Sequence, residues 1–179
     1  VPKPSWIIEP DCWDTAPIIA DLAAIRQYNP QRFEMEQLTA IVYEDPAHHI
    51  CVGYKDLTAN EFWVRGFVSQ SPIMPPALIC EAAAQLANYY ARKHTIYAGQ
   101  GGFVGLDAVR CRGVVYPGER LFVLARLVDR RSRLLTCQFQ CAVDKRVICD
   151  GILIGGVFKW MATQRRDTPR ASIAGSDGD

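Results

Sequence analysis

From Ala77 to Ala91 the chain reads ALICEAAAQLANYYA, and its only strongly polar side chains are Glu81, Gln85 and Asn88. No helix breaker follows Pro76 until Gly99, and proline is tolerated in a first helical turn because its missing N–H would be an orphan there. The pattern predicts a helix that starts at Pro75–Ala77 and ends near Lys93–Thr95. The polar residues fall at i, i+4 and i+7 and share one face, while Leu78, Ile79, Ala82, Ala83, Leu86 and Tyr89 or Tyr90 cover the others. A helix apolar over most of its circumference is buried. Leu78, Ile79 and Leu86 are therefore expected to be nearly inaccessible. A carboxylate at Glu81 in that setting must be paired, neutral or functional.

One buried helix needs a sheet around it. Gln37–Glu44 and His48–Asp56 read as a hairpin about Asp45-Pro46. After the helix, Gly99, Gly101 and Gly102 let the chain turn. Four strand-like runs follow, Phe103–Val115, Arg120–Asp129, Leu134–Asp144 and Arg146–Lys159, with turns at Pro117-Gly118, Arg130–Arg133 and Asp144-Lys145. In the second run Leu121, Val123, Ala125 and Leu127 alternate with Phe122, Leu124, Arg126 and Val128, so one side is fully buried and the other mostly so. The expected class is α+β, a curved antiparallel sheet of about six strands wrapped around the helix. Its other face needs a cover, which a second subunit could supply. Upstream, residues 1–14 form an irregular arm whose tryptophans pack on the body. Thr15–Tyr28 reads as a short amphipathic helix through Ile18, Ile19, Leu22, Ala23 and Ile25, ended by Asn29-Pro30. Ala162–Asp179 is polar and aperiodic and reads as a disordered tail. The expected organisation is an arm and short helix over 1–28, one domain over 29–161, and the tail over 162–179.

With 20 basic against 19 acidic residues the chain offers no electrostatic reason to bind nucleic acid or an anionic membrane. No apolar run approaches the ~18 residues of a membrane span, and no signal peptide opens the chain. The first residue is valine rather than methionine, so processing, truncation or a removed tag is expected. Seven cysteines without a CxxC pair and three histidines without zinc spacing give no metal site, and no cofactor is expected. Cys51, Cys80, Cys111, Cys137, Cys141 and Cys149 lie in apolar runs and read as buried free thiols of a reducing, cytoplasmic location. His48 and His49 read as turn residues, and His94 as a structural residue near the helix C-terminus. The glycines at 151, 155 and 156 lie inside a strand with no helix after them, unlike a nucleotide loop.

Gly66-Phe67-Val68-Ser69-Gln70-Ser71-Pro72-Ile73-Met74-Pro75-Pro76-Ala77-Leu78-Ile79-Cys80-Glu81-Ala82 resembles the signature Gly-His-Phe-Pro-Gly-x-Pro-x-Met-Pro-Gly-x-Leu-x-x-Glu-Ala of the 3-hydroxyacyl-[acyl-carrier-protein] dehydratases of fatty-acid synthesis. Gly66, Pro72, Met74, Pro75, Leu78, Glu81 and Ala82 match in register. Phe103-Val104-Gly105-Leu106-Asp107 through Arg110, Pro117-Gly118-Glu119, and Pro30-Gln31-Arg32-Phe33 extend the resemblance. It implies the hot-dog fold, a dimer or larger homo-oligomer or pairing with a second hot-dog subunit, and acyl thioesters of acyl carrier protein or coenzyme A as ligands.

In that family a histidine after the loop glycine removes the C2 proton. A helix carboxylate across the dimer handles the departing hydroxyl, and a backbone N–H at the helix start stabilises the enolate. Here Glu81 stands at the acid's position, Phe67 at the histidine's, and Pro76, which has no N–H, at the glycine's. Gly66, Phe67, Met74, Pro76 and Gln85 are the substrate-binding candidates that the resemblance implies, and Arg110 and Arg112 the carrier-docking ones. A positioned base contributes about 10²–10⁴-fold and an oxyanion donor ~10²–10³-fold. The expectation is an acyl-thioester-handling member with dehydratase activity weakened or lost. The alternatives are an active dehydratase or hydratase with a rearranged site, and a hot-dog thioesterase that uses Glu81.

Overall fold

A computed structural model describes residues 5–68, 70–97, 101–131 and 133–157. Six strands, β1 (Ala40–Asp45), β2 (Ile50–Asp56), β3 (Gly101–Cys111), β4 (Arg120–Arg131), β5 (Leu134–Val143) and β6 (Arg146–Val157), form one sheet in the order β1-β2-β4-β5-β6-β3. Every pairing is antiparallel. A single helical turn, α1 (Leu22–Ile25), precedes the sheet, and the long helix α2 (Pro76–Lys93) joins β2 to β3. This is the hot-dog arrangement, with α2 packed across one face of the sheet on β2, β4, β5 and β6.

The helix sits where its sequence puts it. Ile79 and Leu86 are 1% and 0% exposed. Leu78 is only half-buried, contrary to expectation, because the first turn runs past the sheet's cover, as exposed Pro76 and Ala77 beside it show. Close packing at the helix centre depends on Gly53 in β2. An added Cβ there would lie 2.9 Å from the Ala40 carbonyl oxygen and 3.2 Å from Leu86 Cδ1.

Two expectations at strand starts change for local reasons. β1 begins at Ala40 rather than Gln37, because the Gln37 N–H donates to Gln85 Oε1 of α2 (2.9 Å) instead of joining a ladder. Gly101 and Gly102 open β3 instead of forming a turn. The predicted end of the last strand at Lys159 and the tail Ala162–Asp179 lie outside the described residues.

The arm covers part of the sheet's other face, a role the sequence reading left to a second subunit. Ile7, Trp6, Ile8 and Trp13 pack over Val42, Val52, Tyr54 and Leu124 in a second apolar cluster, and the Trp13 and Phe122 rings lie 5.0 Å apart. Gln140, 2% exposed, clasps the arm at two points: its Oε1 accepts from Ile7 N–H (2.8 Å) and its Nε2 donates to the Ser5 carbonyl (2.7 Å). The expected helix over Thr15–Tyr28 shrinks to α1. Asp21 caps that turn by accepting from Ala24 N–H, and just before it Ile19 and Ala20 pair with Ile41 at the β1 edge, leaving Ile18 exposed. The opposite edge, β3, has no strand beyond it among the described residues, and it exposes Phe103, Val104 and Leu106.

The C-terminal end of α2 is fastened to β1 by Glu44. Its carboxylate accepts from Tyr89 Oη (2.9 Å) and Lys93 Nζ (2.8 Å) and lies 2.8 Å from His94 Nε2. His94 thus has the structural place expected of it. Burial alone would raise the Glu44 carboxyl, but the hydrogen bonds from Lys93, His94 and Tyr89 together outweigh it and hold the group below its ordinary 4.5. A depressed carboxyl contributes stability that is fully present above its unfolded-state value and is lost as pH falls through the folded value. Unfolding free energy is therefore expected to drop as pH falls below about 4.5, and Glu44→Gln to flatten that slope. Equal acid slopes in denaturant titrations of the two chains would remove Glu44 as a contributor.

Candidate functional site

The residues singled out in the sequence fall in two places. The first is the polar stripe of α2, which is covered by the segment from Tyr28 to Gln37. Asn29 Nδ2 donates to the Gln85 carbonyl (2.9 Å), and Asn88 Nδ2 donates to Asn29 Oδ1 (2.7 Å). Gln85, 2% exposed, accepts from Gln37 N–H and donates through Nε2 to the Met35 carbonyl (2.6 Å) and to Glu81 Oε1 (2.8 Å). Gln31 Nε2 gives Glu81 Oε1 a second bond at 3.1 Å. Glu81 is half-buried, and among the described residues no cation pairs with it. Two amides thus fix one carboxylate oxygen, while Oε2 has no hydrogen-bond partner among the described residues.

Glu81 lines a small cavity of ≈ 90 Å³ between α2 and the ends of β3, β5 and β6, with Gln31, Ala84, Tyr97, Phe103 and Leu153 among its walls. Tyr97 donates a short hydrogen bond to Asn88 Oδ1, and burial pushes its hydroxyl up to about 12. Gly101 permits this wall, because an added Cβ there would lie 2.8 Å from Tyr97 Cζ. The cavity offers an apolar surface with one carboxylate oxygen able to accept or give a proton. No histidine lines it: His48 lies 2.7 Å from Asp45 Oδ2, His49 3.1 Å from Tyr90 Oη, and His94 is held on Glu44.

The second place is the loop into α2. Phe67 N–H donates to the Trp63 carbonyl (2.8 Å) and Met74 N–H to the Val115 carbonyl (2.8 Å). These bonds leave the Phe67 side chain 37% exposed at the loop's outer side and Met74 1% exposed in the core. Met74 therefore anchors the loop from within. Val68 next to Phe67 has φ 49°, a left-handed conformation costly for a β-branched residue. Nothing lies within 4 Å of a Cβ added at Gly66. Gly66→Ala is accordingly expected to leave the melting temperature of the unliganded chain unchanged. A drop of several degrees would show that the chain itself needs glycine there.

Pro76 begins α2 without an N–H to offer. The next one along, Ala77 N–H, has no backbone acceptor among the described residues. Within the chain Gly66, Phe67, Met74, Pro76 and Gln85 line no part of the Glu81 cavity. Arg112 is paired with Asp150 (Nε–Oδ1 2.6 Å), whereas Arg110 is exposed and has no ion pair among the described residues. Among the described residues no group of three His, Cys, Asp or Glu side chains is placed to hold a metal ion, and no helix is long and apolar enough to cross a membrane. Sequence reasoning missed Gln31 and Tyr97. Gln31 lay inside the Pro30-Gln31-Arg32-Phe33 motif, but spacing alone gave no sign that its amide reaches Glu81.

The family signature of the FabA-like domain matches residues 29–152, from the segment that covers the α2 stripe through α2 and the loop into it to the middle of β6. The chain belongs to the FabA-like family. FabA-like relatives include the 3-hydroxyacyl-[acyl-carrier-protein] dehydratase FabZ of Nitratidesulfovibrio vulgaris strain DP4, 30% identical over 147 residues, or 80% of this chain and 95% of that one. The FabZ dehydratase of Sorangium cellulosum is 28% identical over 145 residues, covering 79% and 93% of the two chains. Among solved structures, the dehydratase heterocomplex ApeI:P from Xenorhabdus doucetiae has a chain that superposes with a TM-score of 0.65 at 18% identity, over 78% of this chain and 95% of that one. At that identity the likeness is one of fold.

Proposed function

We propose that this FabA-like chain binds acyl thioesters, of acyl carrier protein or coenzyme A, with dehydratase turnover weakened or lost. The observation that carries the reading is the pair Phe67 and Pro76. One puts a phenyl ring where the resembling dehydratases keep their base, and the other removes a backbone donor at the helix start. Glu81 meanwhile stays at the mouth of an apolar cavity with its orientation fixed by Gln31 and Gln85.

Both halves of the site work together only if a second subunit brings its Phe67 loop to the Glu81 cavity. Three features support that pairing. The β3 edge has no neighbour and exposes apolar side chains, Phe67 is partly exposed, and Gly66 has open space around it. A homodimer formed in this way has no imidazole at either site. A second hot-dog subunit with an intact Gly-His-Phe would present one to Glu81, and the heterocomplex named above shows that a hot-dog dehydratase assembles with a different chain. Arg110, exposed at the end of β3, is the docking cation for an acidic carrier.

Equilibrium binding of the chain to a 3-hydroxyacyl-coenzyme A tests the reading. Saturable binding that Ala84→Phe, which fills the cavity wall, weakens at least tenfold is expected. No saturable binding, or binding indifferent to that substitution, would count against it.

A further inference from the structure

Four cysteines converge where β5, β6 and β3 pass under the first turns of α2. Cys141 of β5 stands opposite Cys149 of β6, and Cys149 stands opposite Cys111 of β3. Residues directly opposite across a ladder share a face, and here it is the helix side. Cys141 Sγ lies 3.9 Å from the Ile79 carbonyl oxygen, and Cys149 neighbours Cys80 of α2. Cys80, Cys141 and Cys149 are buried as expected, whereas Cys111, expected to be buried, is exposed because β3 is the edge strand of the sheet. The row runs from solvent inward, and Cys111 Sγ is 3.8 Å from Cys149 Sγ.

The ladder geometry at this pair suits a covalent bond. Arg112 N–H donates to the Ile148 carbonyl at 2.7 Å, which makes Cys111 and Cys149 a non-hydrogen-bonded pair. Such pairs bring their Cα atoms to about 4.5 Å, within the ~4.4–6.8 Å that a disulfide spans. Rotation of the two side chains closes the sulfurs to bonding distance with the strand pairing kept. A bridge at the short end of the Cα range is strained, and a strained, edge-exposed bridge is readily reduced.

We propose that Cys111 and Cys149 form a thiol-oxidation site that takes a peroxide-class oxidant and closes to a reversible cross-strand disulfide. Exposed Cys111 meets the oxidant. Its thiolate attacks one peroxide oxygen, the O–O bond breaks, and Cys111 becomes a sulfenic acid while the other oxygen leaves as water after taking up a proton. The Cys149 sulfur then attacks the sulfenic sulfur. The S–S bond forms, the S–O bond breaks, and the hydroxyl departs as water with the Cys149 proton. Two electrons pass from the thiols to the peroxide, and a thiol reductant reverses the bond by exchange. The order of events fits the surroundings of Cys149. The neighbouring Cys80 thiol and burial both push the Cys149 thiol up, so Cys149 resolves rather than initiates.

Treating the chain with hydrogen peroxide, blocking free thiols under denaturing conditions and mapping peptides without reduction tests the proposal. A Cys111–Cys149 linked peptide is expected, with both positions lost to alkylation and restored by dithiothreitol. Cys111→Ser, a change at an exposed position, should abolish the link and leave Cys149 alkylatable. Cys149→Ser should leave Cys111 as a sulfenic acid that dimedone traps. Oxidation of Cys111 beyond the sulfenic acid with Cys149 unpaired would overturn the proposal. So would a link from Cys149 to Cys80 or Cys141, a Cys111–Cys111 link between chains, or reaction at Cys12 alone.

Discussion

Replacing Phe67 with histidine and Pro76 with glycine together is expected to raise dehydration of a 3-hydroxyacyl thioester far more than the product of the two single gains. A base at position 67 contributes about 10²–10⁴-fold, but only when the enolate it generates is stabilised. In the Phe67→His chain the helix start still lacks that donor, since Pro76 has no N–H. Ala77 N–H, the nearest alternative, sits one residue on, about 100° round the helix and 1.5 Å along it. In the Pro76→Gly chain the donor, worth ~10²–10³-fold, awaits a proton transfer that Phe67 cannot start. Groups acting in one transition state couple strongly, so the cycle should show a large positive interaction. Partly exposed Phe67 leaves room for an imidazole, and its backbone bond to Trp63 does not depend on the side chain. Initial rates of enoyl-thioester formation for the four chains measure the coupling. Full recovery by Phe67→His alone would mean that another donor, such as Ala77 N–H, already serves.

Leu86→Ala is expected to cost about 2–5 kcal/mol, towards the upper end. Leu86 is fully buried and rests on Gly53, where β2 has no side chain to move into the vacated space. The spread in such losses follows how well a site collapses, and a bare strand under a helix collapses poorly. Chemical denaturation of both chains gives the value. A loss under about 0.5 kcal/mol, typical of surface changes, would contradict the central place given to this helix.

The parts of the molecule legible in its sequence are those governed by local periodicity. α2 and the six strands follow from runs of apolar residues at helical or alternating spacing and from Pro-Gly and Asp-Pro turns. What periodicity did not carry was long-range polar contact. Glu81, Gln85 and Asn88 were visible as a stripe, but their bonding to Asn29, Gln31, Met35 and Gln37 joins positions some fifty residues apart. Gln85 showed why it must be satisfied but not by what. The arm was seen as tryptophan-bearing, yet its hold on Gln140 spans most of the chain. Thr15–Tyr28 misled because the apolar pattern of Ile18, Ile19 and Leu22 fits a helix, while pairing of Ile19 and Ala20 with Ile41 satisfies the backbone in another way. Phe67 and Pro76 were legible as substitutions in a signature. That Phe67 and Glu81 line no common cavity within the chain needed the three-dimensional structure.

The most direct measurement is the turnover number of the unsubstituted chain on 3-hydroxyacyl thioesters, read by mass with Glu81→Gln alongside. With Phe67 at the base's position and Pro76 at the donor's, the expected result is saturable substrate with turnover orders of magnitude below the ordinary ~1–10³ per second. A wild-type rate within that range, abolished by Glu81→Gln, would contradict the proposed loss of dehydratase activity and show that groups elsewhere replace the missing base and donor.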